Sequence, residues 1–380
     1  MRENSTSSIP FYEELPAFFS RLESQDRVRT LREPQGLDLC SNDYLGLSKH
    51  PEIIQSLKEG IDLYGAGSTA SRLVRGHRSI FQKLEEEFSS WVGSEGSLFL
   101  ANGYTANVGA ISSICDPSYV VFADRNNHAS LMDGVRLSGA KKVYYHHQDF
   151  DHLEELLKKY SSSKHKMIVT ESLFSMDGDV TDVEGLLNLK ERYGTLLYLD
   201  EAHSIGVWGK KGAGVSHMKV PEERISQIDF RMSTLGKALG LEGALVSCSE
   251  SSREYLLHCA RTFVFSTAPI PAIAHAGMTA IRLAQSMDSE RSTIERNSDD
   301  LRRELRERGY STGSSNSQIV PILMQSEKDS LLFASRLLDA GFEAKAIRPP
   351  TVTQSRIRVS IHAGITPEQL KSFIEHFPRL

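Results

Sequence analysis

Short apolar runs alternate with amphipathic stretches over most of the chain. Ile80, Leu84, Phe88 and Trp91 recur at helical spacing and predict a helix over 80–92. Runs of strand length fall at 97–100, 119–123, 142–145, 167–170, 195–199, 228–232 and 244–248. Between them, 103–114, 129–137, 152–160 and 183–193 read as helices. Residues 11–29 read as an N-terminal helix with charged flanks, and 37–41 as a short strand. Strand following helix in this order predicts an α/β fold, with a mostly parallel central sheet and helices on both faces. The chain's last part differs: charged helices at 291–308 and 330–340 are separated by strands at 319–323 and 356–361. The expected organisation is an N-terminal segment (1–45), a large α/β domain (46–275) and a smaller C-terminal α+β domain (276–380).

Composition narrows the class. A chain of 380 residues has ample interior for one large domain or two moderate ones. The net charge is −5 with both signs interspersed, and no basic block or basic-aromatic stripe points to nucleic acid. No apolar run approaches the ~18 residues of a membrane helix. The polar stretch 1–10 lacks the apolar core of a secretory signal, so a cytoplasmic protein is expected. Cys40, Cys115, Cys248 and Cys259 are scattered without a C-x-x-C pair, which suits reduced thiols rather than disulfides or a metal site.

Ligands of parallel sheets bind beyond the carboxyl ends of the strands. Asp124, Glu171, Asp200 and Lys237 each follow a predicted strand end and can converge on one crevice. Lys237 sits between Gly236 and Gly240, which suits a tight, closely approached loop, although a lone lysine is more often a surface residue. An amine of pKa about 10.4 is almost wholly protonated at neutral pH, so a reactive lysine needs burial or nearby cations. Asp200 ends an apolar run and precedes Glu201-Ala202-His203; such a carboxylate otherwise caps the next turn. A buried carboxylate needs a cationic partner. Strand-end aspartate followed by glycine-flanked lysine suits pyridoxal phosphate (PLP). The lysine holds its aldehyde, and the carboxylate keeps its ring nitrogen protonated and the ring a better electron sink. Thr234 stands three residues before Lys237 and can reach the phosphate. Asn102-Gly103-Tyr104-Thr105 opens a helix whose first amides suit a phosphate, or is simply a helix start. His128, at a strand-to-helix turn, can stack on the cofactor ring or cap the helix. His203 can donate to the cofactor's phenolic oxygen or to an acyl carbonyl, or be an ordinary loop histidine.

Three other patterns lead elsewhere and lack their context. Gly65-Ala66-Gly67-Ser68-Thr69-Ala70 fits a dinucleotide fingerprint, but no clear strand precedes it and no acidic strand end follows at the right distance. Asp200-Glu201-Ala202-His203 spells a helicase motif without the phosphate loop such a motor needs. His146 and His147 are adjacent on an expected strand, where they point to opposite faces and do not share an ion, so a structural or solvated role is expected.

Taken in order, several segments resemble the α-oxoamine synthase family of fold-type-I PLP enzymes. They are 41–47, 65–72, 124–130, 170–179, 200–203, the Lys237 loop and Phe265-Ser266-Thr267. The resemblance runs from about residue 36 to the C-terminus. It implies a PLP-dependent transferase of fold type I acting as a homodimer. Gly103, Tyr104, His128, Ser175, Asp200, His203, Thr234 and Lys237 would bind the cofactor, with Ser266 and Thr267 reaching the phosphate of the neighbouring subunit. Asn42, His128, Thr351 and Arg358 would contact substrate, Arg358 gripping a carboxylate. Arg27 would meet the acyl group, with Arg21 or Arg29 as alternatives. Arg348-Pro349-Pro350-Thr351-Val352 followed by Arg356-Ile357-Arg358 is most similar to the branch that joins L-alanine to a pimeloyl thioester in biotin synthesis. The donor would be pimeloyl-CoA or a pimeloyl carrier protein. The segments Arg75-Gly76-His77, Leu241-Glu242 and Thr353-Gln354-Ser355 depart from that branch's pattern. A sister activity on glycine and a short acyl-CoA shares nearly every such residue. A non-catalytic scaffold of this fold would not need the lysine, aspartate and histidine.

Overall fold

The computed structural model describes residues 9–380, so only the last two positions of the polar stretch 1–10 fall among the described residues. Its strands are β1 (Leu37–Asp38), β2 (Gly96–Leu100), β3 (Tyr119–Asp124), β4 (Lys141–Tyr145), β5 (His165–Glu171), β6 (Leu196–Asp200), β7 (Phe230–Thr234), β8 (Ala244–Cys248), β9 (Ile319–Leu323), β10 (Phe342–Glu343), β11 (Lys345–Ile347) and β12 (Arg356–Ser360). Seven of them form one sheet in the order β2-β8-β7-β6-β5-β3-β4. β7, β6, β5, β3 and β4 run parallel, and β8 is antiparallel to both its neighbours.

The sheet is covered on both faces, and successive residues show it. Val121, Met167, Val169 and Tyr198 pack with Ala106, Ala110 and Leu131 on one side, while Phe122, Ile168, Leu197 and Leu199 pack with Leu153, Leu157 and Leu186 on the other. This period-two exchange between two apolar layers is why the strands read as continuous apolar runs. Three carboxylates therefore stand at adjacent strand ends: Asp124 on β3, Glu171 on β5 and Asp200 on β6. Glu171 and Asp200 are register partners.

The C-terminal part holds a three-stranded antiparallel sheet, β11-β12-β9, and the parallel pair β1 and β10. β1 belongs to the N-terminal segment, so that segment is stitched to the C-terminal part. The pairing carries Asn42 toward Arg358 on β12.

Helices Gly103–Ile114 and Val183–Tyr193 fall at their expected limits. The expected helix 11–29 is shorter, Pro10–Ser24, and buries none of its residues. Four further helices were not read from the sequence: Pro51–Tyr64, Glu250–Cys259, Pro271–Ser286 and Pro367–Glu375. The first and third pack through small residues, and a Cβ at Gly60 would lie 2.7 Å from Ala272 Cα. Small residues let the two backbones approach closely there. Among the described residues no helix is long and apolar enough to cross a membrane.

Candidate active site

Lys237 lies in the turn between β7 and β8. Gly240, at φ +67°, backs onto residues 47 and 48, where a Cβ would come within 2.2 Å of Ser48 N. The turn is thereby pressed against the N-terminal segment, and Lys237 is half-buried. Its Nζ has no hydrogen-bond or ion-pair partner among the described residues. Desolvation lowers its pKa to about 8, against the pull of Asp200 and Glu171.

Asp200 is buried at the end of β6. Its Oδ1 accepts from Ala202 N at 2.9 Å and its Oδ2 from Asn107 Nδ2 at 2.8 Å. Asn107 is fixed in turn by Tyr198, whose hydroxyl donates to its Oδ1 at 2.9 Å, and by the Ser130 hydroxyl at 2.9 Å. Burial raises the pKa of Glu171 well above the usual carboxylate range, and the Asp200 charge adds to the shift.

Two histidines flank these groups. His128 caps the helix Ala129–Ser138, its Nδ1 lying 2.8 Å from Ser130 Oγ, while its backbone N donates to Glu171 Oε1 at 2.6 Å. The capping role and a place beside Asp200 coexist. His203 is buried, with Nδ1 2.7 Å from the Tyr44 hydroxyl and its carbonyl accepting from Gln318 Nε2 at 2.7 Å. Desolvation first, then Lys237, Arg358 and His128, keep its pKa well below the usual value, so the ring is neutral. Tyr44 also lies 3.1 Å from Asn42 Oδ1, and its one proton serves either partner. The shorter distance to His203 favours Tyr44 as donor to Nδ1, which leaves Nε2–H to donate outward.

Arg358 is buried on β12. Nε donates to Ser175 O at 2.6 Å, Nη1 to Ser360 Oγ at 2.7 Å and Nη2 to Asn42 Oδ1 at 3.1 Å. All three acceptors are neutral, and no carboxylate among the described residues lies within ion-pair distance of it. A buried guanidinium without a counter-charge is a receptor for an anion.

A phosphate cradle stands nearby. Asn102 caps the helix Gly103–Ile114 through Thr105 N, and the amides of Gly103 and Tyr104 are left without an intrahelical acceptor. Gly103 faces Met232 and Thr234; a Cβ there would touch Met232 Cε at 3.6 Å and Thr234 Cβ at 3.9 Å. The Thr234 hydroxyl donates to Gly243 O at 2.9 Å, so it must turn to donate to a phosphate. The Tyr104 hydroxyl donates to Asp133 Oδ2 at 2.6 Å.

Several expected site residues stand apart from this group within the subunit. The Ser266 hydroxyl contacts only Thr267 O, at 3.3 Å, and Thr267 is exposed. Thr351 is exposed in a turn. Arg27 is engaged with Gln25 at 3.2 Å and Glu327 at 3.8 Å, and its Nε is buried without a partner. Arg21 lies over the Phe18 ring, and Arg29 is exposed. Sequence reading missed Asn107 and Tyr44 as individual groups. A buried Asn inside a helix of small residues was the signal for the first; the second had none beyond its segment.

The arrangement fits PLP: a free amine of depressed pKa, a buried carboxylate on a neighbouring strand end, and open amides beside Thr234. Comparison with known proteins agrees. The aminotransferase class I and II family model matches residues 34–377. A protein of Bacillus cereus (strain ZK / E33L), provisionally named 8-amino-7-oxononanoate synthase, is 42% identical over 350 residues, covering 92% of this chain and 88% of its own. A Bacillus anthracis protein of the same provisional name is 41% identical with the same coverage. Among solved structures, serine palmitoyltransferase from S. paucimobilis with PLP and myriocin bound superposes with a TM-score of 0.89 at 25% identity, over 97% of this chain and 96% of that one. The 8-amino-7-oxononanoate synthase of Francisella tularensis gives 0.79 at 27% identity, over 90% and 96%. The chain belongs to the aminotransferase class I and II family and, within it, to the α-oxoamine synthases, acyltransferases that work with pyridoxal phosphate.

Proposed function

We propose that the chain condenses L-alanine with a pimeloyl thioester, giving 8-amino-7-oxononanoate, CO2 and the free thiol, in a homodimer whose sites are shared. The observation that carries the chemistry is an unpartnered amine of lowered pKa, Lys237, within electrostatic reach of an anion receptor, Arg358. The substrate reading is supported by relatives of about 42% identity named for this reaction and by the segment Arg348-Pro349-Pro350-Thr351-Val352.

PLP, when bound, supplies the electron sink for a carbanion at the amino acid Cα. Lys237 would hold the aldehyde of the cofactor and, when free, would take the proton from the substrate Cα. A pKa of about 8 gives it a useful neutral fraction near pH 7. Asp200 pairs with the ring nitrogen, and Asn107 fixes the carboxylate that does so. His128 would stack on the ring. Gly103, Tyr104 and Thr234 would hold the phosphate, joined by Ser266 and Thr267 of the neighbouring subunit, and Ser175 would border the ring. Arg358 takes the substrate carboxylate beside Asn42. Neutral His203 directs its Nε2 proton to an oxygen of the cofactor or of the acyl carbonyl. Arg27 and Thr351 meet the acyl substrate.

The shared site is supported by two exposed apolar side chains, one next to Ser266 and one in the turn 72–76, which follows Ala70, whose carbonyl accepts from Ala268 N at 3.0 Å. Phe265 is 72% exposed immediately before Ser266, and Val74 is 82% exposed in the turn after the glycine-rich loop. Such surface is normally covered. The higher TM-score with serine palmitoyltransferase supports a second reading, in which another amino acid or acyl chain is used. The test is the product mass with L-alanine, glycine or L-serine, each against thioesters of several lengths on CoA and on carrier protein. Product of alanine and pimeloyl mass made fastest is the expected result; preference for serine or glycine would replace it.

A further inference from the structure

We propose that His147 is a positioning residue that sets the substrate-carboxylate grip of Arg358 by tying the loop beneath it to the end of the central sheet. The inference rests on the reading of Arg358 given above; nothing in that reading involves His147.

The loop between β5 and the helix Val183–Tyr193 folds back on itself through a bridge between Leu173 and Val180. Its tip is held by both arginines of β12. Ser175 O takes Arg358 Nε at 2.6 Å, Met176 O takes Arg356 Nη1 at 2.9 Å, and Asp177 Oδ1 takes the same Nη1 at 2.6 Å. The other limb is held by the C-terminal part. Gly178 O accepts from Ser317 Oγ at 2.6 Å and Asn316 N at 3.1 Å. Asp179 Oδ2 accepts from Ser314 Oγ at 3.0 Å. These bonds fix the loop to the same unit that carries Arg358, and alone they let loop and arginine shift together.

The base of the loop is bonded to the central sheet through Ser172 N to Asp200 O at 2.8 Å and Thr181 Oγ1 to Glu171 O at 2.7 Å, and His147 ties its outer limb to the same sheet. Its Nδ1 is 2.9 Å from Asp124 Oδ1 at the end of β3, and its Nε2 is 2.9 Å from Asp179 Oδ2. Asp124 is anchored by Gln148 N and Asn126 N at 2.9 and 2.8 Å. The ring packs edge-on to Phe174 at 4.4 Å. A second, weaker tie runs from Asn126 Nδ2 to Asp177 Oδ2 at 3.1 Å. With a carboxylate oxygen at each nitrogen, both nitrogens must donate, and the ring is an imidazolium. Burial opposes that charge, but the hydrogen bonds to Asp124 and Asp179 and their charges outweigh it and raise the pKa to about 10. His147, Asp177 and Asp179 also lie close enough together to hold a metal ion, which would have to displace a ring proton of His147; the proposal uses none. Sequence reading placed both histidines on a strand; β4 instead ends at Tyr145, and the chain turns at Gln148, φ +53°.

The test is absorbance titration of the PLP-loaded enzyme with L-alanine and with ethylamine, which has the amine but no carboxylate. His147→Gln is expected to weaken L-alanine about 2- to 30-fold, the range for residues acting through a packed network, with ethylamine and PLP retention unchanged. In turnover the loss appears in KM for the amino acid more than in kcat. Asp179→Asn is expected to do the same, and the double variant to lose no more than the worse single one. Should His147→Gln fail to fold, Asp179→Asn gives the same reading. Equal L-alanine binding by wild type and variant overturns the proposal, as does equal loss for both ligands. Wild-type enzyme that responds to neither L-alanine nor any other α-amino acid overturns the functional reading instead.

Discussion

Two groups of buried charge stand at neighbouring strand ends of one sheet. Around Lys237, burial wins. The amine is lowered to about 8, Glu171 is raised, and His128 and His203 are lowered, so every shift runs toward the neutral form. Around His147, partners win. The ring is raised to about 10, toward the charged form, because each nitrogen has its own carboxylate. The strands are alike; His147 is less deeply buried than Glu171 and His203, and it also has more partners. The His147 cluster pairs its ring with two carboxylates and leaves Asp179 Oδ1 without a hydrogen bond, whereas the other cluster's amine and guanidinium lack an ion-pair partner and are incomplete until something binds. The contrast supports the proposal that the Lys237 group is the reactive centre and the His147 group its frame.

The hardest blow to that contrast falls at Lys237. Lys237→Ala removes the Cα proton acceptor and is expected to cut thiol release by at least about 10²–10⁴-fold, the range for a positioned acid or base. Borohydride reduction of wild-type enzyme should mark the peptide holding Lys237 with the cofactor, and leave no mark at that place in the variant. Activity within tenfold of wild type would show that the unpartnered amine is not the reactive one.

Arg358→Lys should act less severely and on binding alone. Lysine keeps the charge and loses the planar fork, so one charge-assisted hydrogen bond of about 1.5–3 kcal/mol goes. KM for the amino acid should rise about 10- to 100-fold while KM for the thioester holds. An unchanged amino-acid KM would mean that Arg358 is a structural brace, like Arg356 with its carboxylate partner Asp177.

Much of the reactive centre was legible because strand ends are legible. Asp200 and Lys237 each follow an apolar run, and parallel strands place such ends together. The reinforcing bonds were not. Tyr44 to His203, Asn107 to Asp200 and Ser175 to Arg358 join residues far apart in sequence, and no local period reports them. The helices Pro51–Tyr64 and Pro271–Ser286 went unread as well, and the close approach of Gly60 to Ala272 that joins them is a long-range contact of the same kind. His147 shows the reverse failure: a strand rule was applied beyond the last residue of the strand.

The smallest effects discriminate most finely, because the two clusters should tilt stability against pH in opposite senses. His147 is raised from an ordinary value near 6.5 to about 10. Its contribution is whole below pH ~6.5 and is lost as pH climbs through ~10. Lys237 is depressed to about 8 from about 10.4. In cofactor-free protein it therefore costs stability in full below pH ~8, and the cost is relieved as pH rises to ~10.4. Measured as melting temperature on cofactor-free protein at pH 7, His147→Gln should melt below wild type and Lys237→Met above it. Each difference should be a few degrees, at about 2–4 °C per kcal/mol for a domain of 150–250 residues. Both gaps should close as pH approaches 10 to 10.5. A His147→Gln gap that stays constant from pH 6 to 10 would mean the ring is held by shape rather than by charge. A Lys237→Met variant that melts with or below wild type at pH 7 would mean the amine has a partner after all. Either result removes the distinction between the two clusters, since it turns on which of them satisfies its buried charge without help.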